Sequence, residues 1–125
     1  NKYKYADGLI SIHNLNMQKL IIINFTDKIV NSKILCQELG EILHYISTFR
    51  PNKIILSLDG MNNFLNLYEN VNMYFFKILQ LLGVNKIAFV SVKTDFKRLK
   101  TITKNSFIQT KLFISRDESL SWILM

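Results

Sequence analysis

At 125 residues and 49% hydrophobic content, the chain is sized for one domain, residues 1–125, that buries about two thirds of the surface its unfolded form exposes. With 20% charged residues, 1 Pro and 4 Gly, it is neither a disordered nor a collagen-like sequence, and its single cysteine, Cys36, excludes a disulfide-stapled scaffold. The net charge of +7 points towards anionic partners, but Lys, Asn and Ile together supply 43 residues, so codon bias towards A/T accounts for part of the lysine content.

In chain order, Asp7-Gly8 is a turn pair, Leu9 to His13 alternates apolar with small or polar residues, and Asn14-Leu15-Asn16 separates it from Lys19 to Phe25. Two strands with a short connection make a hairpin. Leu20-Ile21-Ile22-Ile23 is apolar on consecutive positions and β-branched, which suits a strand covered on both faces. This run is far short of the ~20 apolar residues that cross a bilayer, and the amino-terminal residues lack a signal-peptide apolar region, so the default compartment is the cytoplasm. From Asn31 or Ser32, both good helix caps, a helix runs to about Phe49 with Leu35, Leu39, Ile42, Leu43 and Ile46 on one stripe, and Phe49-Arg50-Pro51 ends it.

Lys53 to Asp59 is the third strand. The loop Gly60 to Leu65 leads into one helix from about Asn66 to Leu82, with Leu67, Val71, Phe75, Ile78 and Leu82 as its apolar stripe and Gly83 as its stop. Lys86 to Val92 is the fourth strand, Asp95 to Lys104 a short basic helix and Thr110 to Ser115 the fifth strand. Ser115-Arg116-Asp117-Glu118 has the spacing of a capping box and opens a last helix. The order ββαβαβαβα predicts an α/β fold: a five-stranded mixed, mainly parallel sheet with an N-terminal hairpin and about four helices.

This order, together with the ending from Phe113 to Leu124 and the strand Lys86-Ile87-Ala88-Phe89-Val90, resembles the STAS superfamily, in particular its SpoIIAA-like branch. The resemblance covers nearly the whole chain. In that family a phosphorylatable Ser or Thr, preceded by Asp, opens the helix after the third strand and switches partner binding. The alignment places Leu65 at the Asp position and Asn66 at the phosphoacceptor. Asn66 cannot take a phosphoryl group, so the resemblance implies a member without that switch, in which the loop surface still docks a protein; on local grounds Asn66 is an N-cap.

Catalytic constellations are poorly represented. Asp59 at the end of a strand is where an open sheet gathers chemistry, and it suggests a receiver domain. The carboxylate pair for Mg²⁺ and the closing lysine of such a site are missing, however. His44 falls about 140° from Leu39, on the wet face of the first helix. His13 lies near the hairpin. Cys36 reads as a small core residue near the apolar stripe. No glycine-rich phosphate loop exists, no metal set is evident and no cofactor is called for.

What remains is surface. With Val71 as the centre of the buried stripe, Met73 at about 200° and Phe76 at about 140° fall on the outer side of the second helix as an apolar contact face. Lys93 to Arg116 carries seven bases against Asp95 alone, with Lys97, Arg98, Lys100 and Lys104 forming a basic patch for which a solvated face is the commoner explanation. The reading is a non-catalytic regulatory or protein-interaction module. Its contact residues are Met61, Asn62, Asn63 and Asn66 in and after the loop, and Met73 and Phe76 on the helix. The partner is a protein, a second copy of the chain included, and not a nucleic acid. The alternative is a carrier for a lipid or small apolar ligand held in a cavity lined by Phe64, Tyr68 and Phe75.

Overall fold

The computed structural model describes residues 2–5, 8–15, 18–61, 63–71 and 74–125, with side chains from residue 18 onward. These form a six-stranded sheet, in the order β1 (Lys2–Tyr5), β2 (Gly8–Leu15), β3 (Gln18–Phe25), β4 (Lys53–Ser57), β5 (Lys86–Val90) and β6 (Gln109–Phe113). β1, β2 and β3 pair antiparallel, whereas β3 to β6 pair parallel. The hairpin and the mainly parallel sheet are as the pattern predicts. The sheet has one strand more than the five expected, because Lys2–Tyr5 pairs with Ser11 to Gly8. Lys2-Tyr3-Lys4-Tyr5 does alternate with a strand's period of two, but four residues are too short a run to mark a strand without the neighbour it pairs with.

The helices are α1 (Ser32–Phe49), α2 (Phe64–Glu69), α3 (Phe75–Leu81), α4 (Phe96–Thr103) and α5 (Arg116–Ile123). There are five among the described residues, not about four, because the long second helix expected from Asn66 to Leu82 is two short ones. α1 starts where its cap predicts: Asn31 Oδ1 accepts from Ile34 N–H at 2.9 Å. It ends as Arg50 turns into the left-handed region (φ 52°) before Pro51. α5 starts on the Ser115 hydroxyl, which accepts from Glu118 N–H at 3.2 Å. Gly83, at φ 102°, takes the chain from α3 into β5 through a conformation that side chains resist.

The crossovers place α1 to α4 on one face of the sheet. Ile21, Ile23, Ile54, Leu56, Ile87 and Phe89 point there and meet Leu35, Leu39, Ile42 and Ile46 of α1, Phe75 and Leu79 of α3 and Leu99 of α4. The opposite face holds a smaller cluster of Leu20, Ile22, Ile55, Ala88, Val90 and Phe113, closed by Ile123 with Leu120 and Trp122 of α5. Each fully buried Leu, Ile or Phe contributes about 1.5–3 kcal/mol relative to exposure, so the first cluster dominates stability. Two-sided burial explains why β3, β4 and β5 read as continuous apolar runs. Cys36, expected in the core, is exposed; next to Leu35, it sits a full 100° step off the stripe.

Candidate functional site

Parallel strands end together, and the loops that leave their C-terminal ends are free to build a site. After β4 the chain continues beside β5, with Leu58 N–H donating to Val90 O at 2.9 Å, and then turns, with Met61 N–H on Leu58 O at 3.1 Å. Gly60 lies at that turn. A Cβ there would meet Phe25 O at 2.1 Å, so only glycine lets the loop lie against the end of β3. Asn63 then takes the left-handed conformation (φ 59°), which Asn tolerates better than most residues, and α2 begins at Phe64.

The loop after β5 is held by its own polar side chains. Ser91, buried, lies 2.8 Å from the Thr94 hydroxyl and accepts from Lys93 N–H at 3.1 Å. Asp95 caps α4 by accepting from Lys97 N–H at 2.9 Å. Three contacts then fasten the two connections together: Val92 N–H donates to Asp59 Oδ1 at 2.9 Å, and Arg98 of α4 reaches Asn66 Oδ1 at 2.9 Å and Glu69 Oε1 at 2.5 Å on α2. The gap left between them is a cleft of about 200 Å³. Leu58, Met61, Phe64 and Leu65 supply its apolar walls, and Asp59, Asn63, Asn66, Lys93, Asp95 and Arg98 its polar ones.

Of the residues singled out from the sequence, Met61, Asn63 and Asn66 all line this cleft. Met61 does so from a buried position within the main core cluster. Asn66 is not the N-cap: Asn63 holds that place, and Asn66 lies in the first turn with its carboxamide on Arg98. Asn62 and Met73 lie outside the described residues. Phe76 is not on an exposed face. It is 2% exposed and packs against Tyr68, Phe75 and Phe89 at ring-centroid distances of 5.6, 5.2 and 5.9 Å. The wheel centred on Val71 fails because the helix breaks between Asn70 and Phe75, and α3 restarts in a different phase. The basic patch divides: Lys97, Lys100 and Lys104 are exposed, Lys100 with its ammonium 5.4 Å from the Phe96 ring centroid, while Arg98 belongs to the cleft.

Phe64, Tyr68 and Phe75, the residues offered as a ligand cavity, are buried against other rings, with Phe25, Phe64, Tyr68, Phe76 and Phe89 in consecutive contact. Burial raises the Tyr68 phenol to about 12, against a smaller opposing effect of a backbone hydrogen bond at Phe75. Sequence reasoning missed the Asp59 to Val92 and Arg98 to Asn66 contacts, which join residues 33 and 32 positions apart. It also missed the Ser91 and Thr94 turn, whose signal is two hydroxyl residues three apart just before the Asp95 cap. Among the described residues, no three His, Cys, Asp or Glu side chains converge as a metal site requires. No described helix is long and apolar enough to cross a membrane.

Compared with solved structures, the chain superposes on an uncharacterised protein of the DUF3478 family from Shewanella loihica PV-4, described as having a SpoIIAA-like fold. The TM-score is 0.55 over 97% of each chain, at 9% sequence identity. The fold is SpoIIAA-like. At that identity the likeness is one of architecture, carried by the two-sided sheet and not by shared side chains. No family model matches the sequence, and no curated protein does.

Proposed function

We propose that this SpoIIAA-like domain is a non-catalytic interaction module that docks a protein partner at the cleft between the β4–α2 and β5–α4 loops. The carrying observation is how the polar groups there are spent. Asp59, Ser91, Thr94 and Asp95 all hold loop backbone or one another, and Arg98 ties α4 to α2. These groups preorganise a surface, which lowers the ordering cost of binding.

The surface they present suits a protein. Apolar walls lie inside, and Val92 beyond β5 and Ile114 beyond β6 stand exposed at the same end of the sheet. With Asn66 at the first turn of α2, no Ser or Thr lies between Gly60 and Tyr68 to switch that surface by phosphorylation. The test is positional. A photo-crosslinking residue at position 92 should trap a defined partner in the native cytoplasm, whereas one at exposed Leu81, at the other end of the strands, should not. Equal trapping from both positions, or none from position 92, overturns the proposal; trapping of a second copy of this chain identifies the partner as itself.

A further inference from the structure

At the opposite end of the strands, on the face that α5 covers, two lysines lie side by side. Lys53 opens β4 and Lys86 opens β5, the two are paired in register, and each is only 8% exposed. They share this face with Ile55, Ala88 and Trp122. Nothing in the packing calls for an amine at either place: the rung that holds them continues into Leu20 on β3, and an apolar side chain would extend the small core outwards. Two neighbouring ammonium groups repel, and the apolar stems of both lysines are covered while their charges stay at the rim of this face.

Lys86 is partly compensated. Its ammonium donates to Trp122 O at 2.7 Å, near the carbonyl-rich end of α5, and lies 4.4 Å from the centroid of the Trp122 ring. That uses one of its three protons. Lys53 has no hydrogen bond or ion pair among the described residues, and the ion pair seen among them, Arg98 with Glu69, is at the other end of the strands. The indole restrains Lys86, and the sheet register fixes Lys53 beside it. The two side chains leave neighbouring strands on one face, so two positive charges with N–H donors open to a ligand share one area.

We propose that Lys53 and Lys86 form a binding site for a phosphate group at the foot of the sheet. A phosphate near neutral pH offers a charge close to −2 and several acceptor oxygens, which matches two ammonium groups in charge and in donors. A monoanionic carboxylate matches only half of the charge. Lysine serves here as a point charge, so the site discriminates by charge more than by shape. Burial, and then the charge of Lys53, hold the Lys86 ammonium below its ordinary pKa. A bound dianion reverses the second effect and raises that pKa. The site lies across the sheet from the cleft and stands or falls independently of the partner-docking proposal.

The test follows the lysine Cε–Hε resonances of the intact protein by NMR while inorganic phosphate, glycerol 3-phosphate or acetate is added at constant ionic strength. Saturable shifts at Lys53 and Lys86 with either phosphate are expected, along with an upward move of the Lys86 titration midpoint and binding about tenfold weaker for acetate. Stronger binding of glycerol 3-phosphate marks an esterified phosphate as the natural source; stronger binding of inorganic phosphate marks the free ion. Lys53→Met and Lys86→Met should each abolish saturation, and Lys104→Met, on the exposed end of α4, should not. Lys53→Met should also melt no lower than wild type without phosphate, because it keeps the apolar stem and removes the repulsion with Lys86. A wild-type Lys86 midpoint unmoved by phosphate, equal affinity for acetate, or undiminished saturation in Lys53→Met overturns the site.

Discussion

Replacing Phe76 by Ser is the sharpest check on how the face of α3 is assigned. The ring is fully enclosed, touching Tyr68, Phe75 and Phe89 at the centre of the larger core cluster. Truncating a buried Phe costs about 3–5 kcal/mol in lost transfer energy and residual cavity, and the serine hydroxyl adds a polar group without an assured partner. Against a total stability of about 5–15 kcal/mol, that is at least about a fifth of what holds a small domain together. With a urea slope of about 1.5 kcal/mol/M, the midpoint should fall by about 2–3 M. Phe107→Ser is the matched control, because Phe107 is 88% exposed and its loss should change stability by no more than about 0.5 kcal/mol. Equilibrium urea melts of the two variants and wild type, followed by tryptophan fluorescence from Trp122, give both numbers. A Phe76→Ser midpoint within experimental error of Phe107→Ser would refute the packing argument and restore Phe76 to the surface.

Gly60→Ala sets a methyl group against Phe25 O and should cost about 1–3 kcal/mol while displacing the cleft loop; a denaturant melt and the position-92 crosslink yield should fall together. Because burial raises the Tyr68 phenol from 10.0 to about 12, the folded protein keeps a proton that the unfolded chain releases. Stability from this source is full below pH 10 and is lost between pH 10 and about 12, by about 2–3 kcal/mol, and Tyr68→Phe should lack that loss in paired melts. Arg98→Met should change stability by less than about 1 kcal/mol, because its ion pair with Glu69 is half exposed, yet lower crosslinking at position 92. Binding of anionic vesicles through Lys97, Lys100 and Lys104 should vanish at physiological salt, where screening acts beyond ~8 Å; cosedimentation persisting there would give these exposed lysines a role of their own.

The sequence carries what local chemistry encodes. Asn31, Asp95 and Ser115 mark helix starts because their side chains accept the very backbone donors that a starting helix leaves unpaired. The run Leu20 to Ile23 marks an interior strand because both its faces are covered. It is less informative where one element's conformation depends on another. Nothing in Leu67 to Leu82 demands a break, since the segment has neither Gly nor Pro and its apolar spacing is continuous. The interruption after Asn70 nonetheless turns α3 so that Phe75, Phe76 and Leu79 all face the sheet. A helical wheel drawn through a break assigns faces with the phase of the wrong helix, which is how Phe76 reads as exposed.

The cleft was legible only in its parts, for the same reason. Met61, Asn63 and Asn66 are near in sequence, but what makes them a site is the loop after β5, brought alongside by the parallel register of β4 and β5 and fastened by Asp59 and Arg98. Asp59 shows the consequence for function. From its place at a strand end it reads as a reactive carboxylate; in the fold its Oδ1 accepts the Val92 amide and so sets the position of an exposed apolar residue 33 places later. A carboxylate engaged in that way spends one acceptor site on the loop and gains control over the shape of the surface beside it. The polar residues at this edge shape the cleft through the backbone they hold, and the docking proposal rests on that shape.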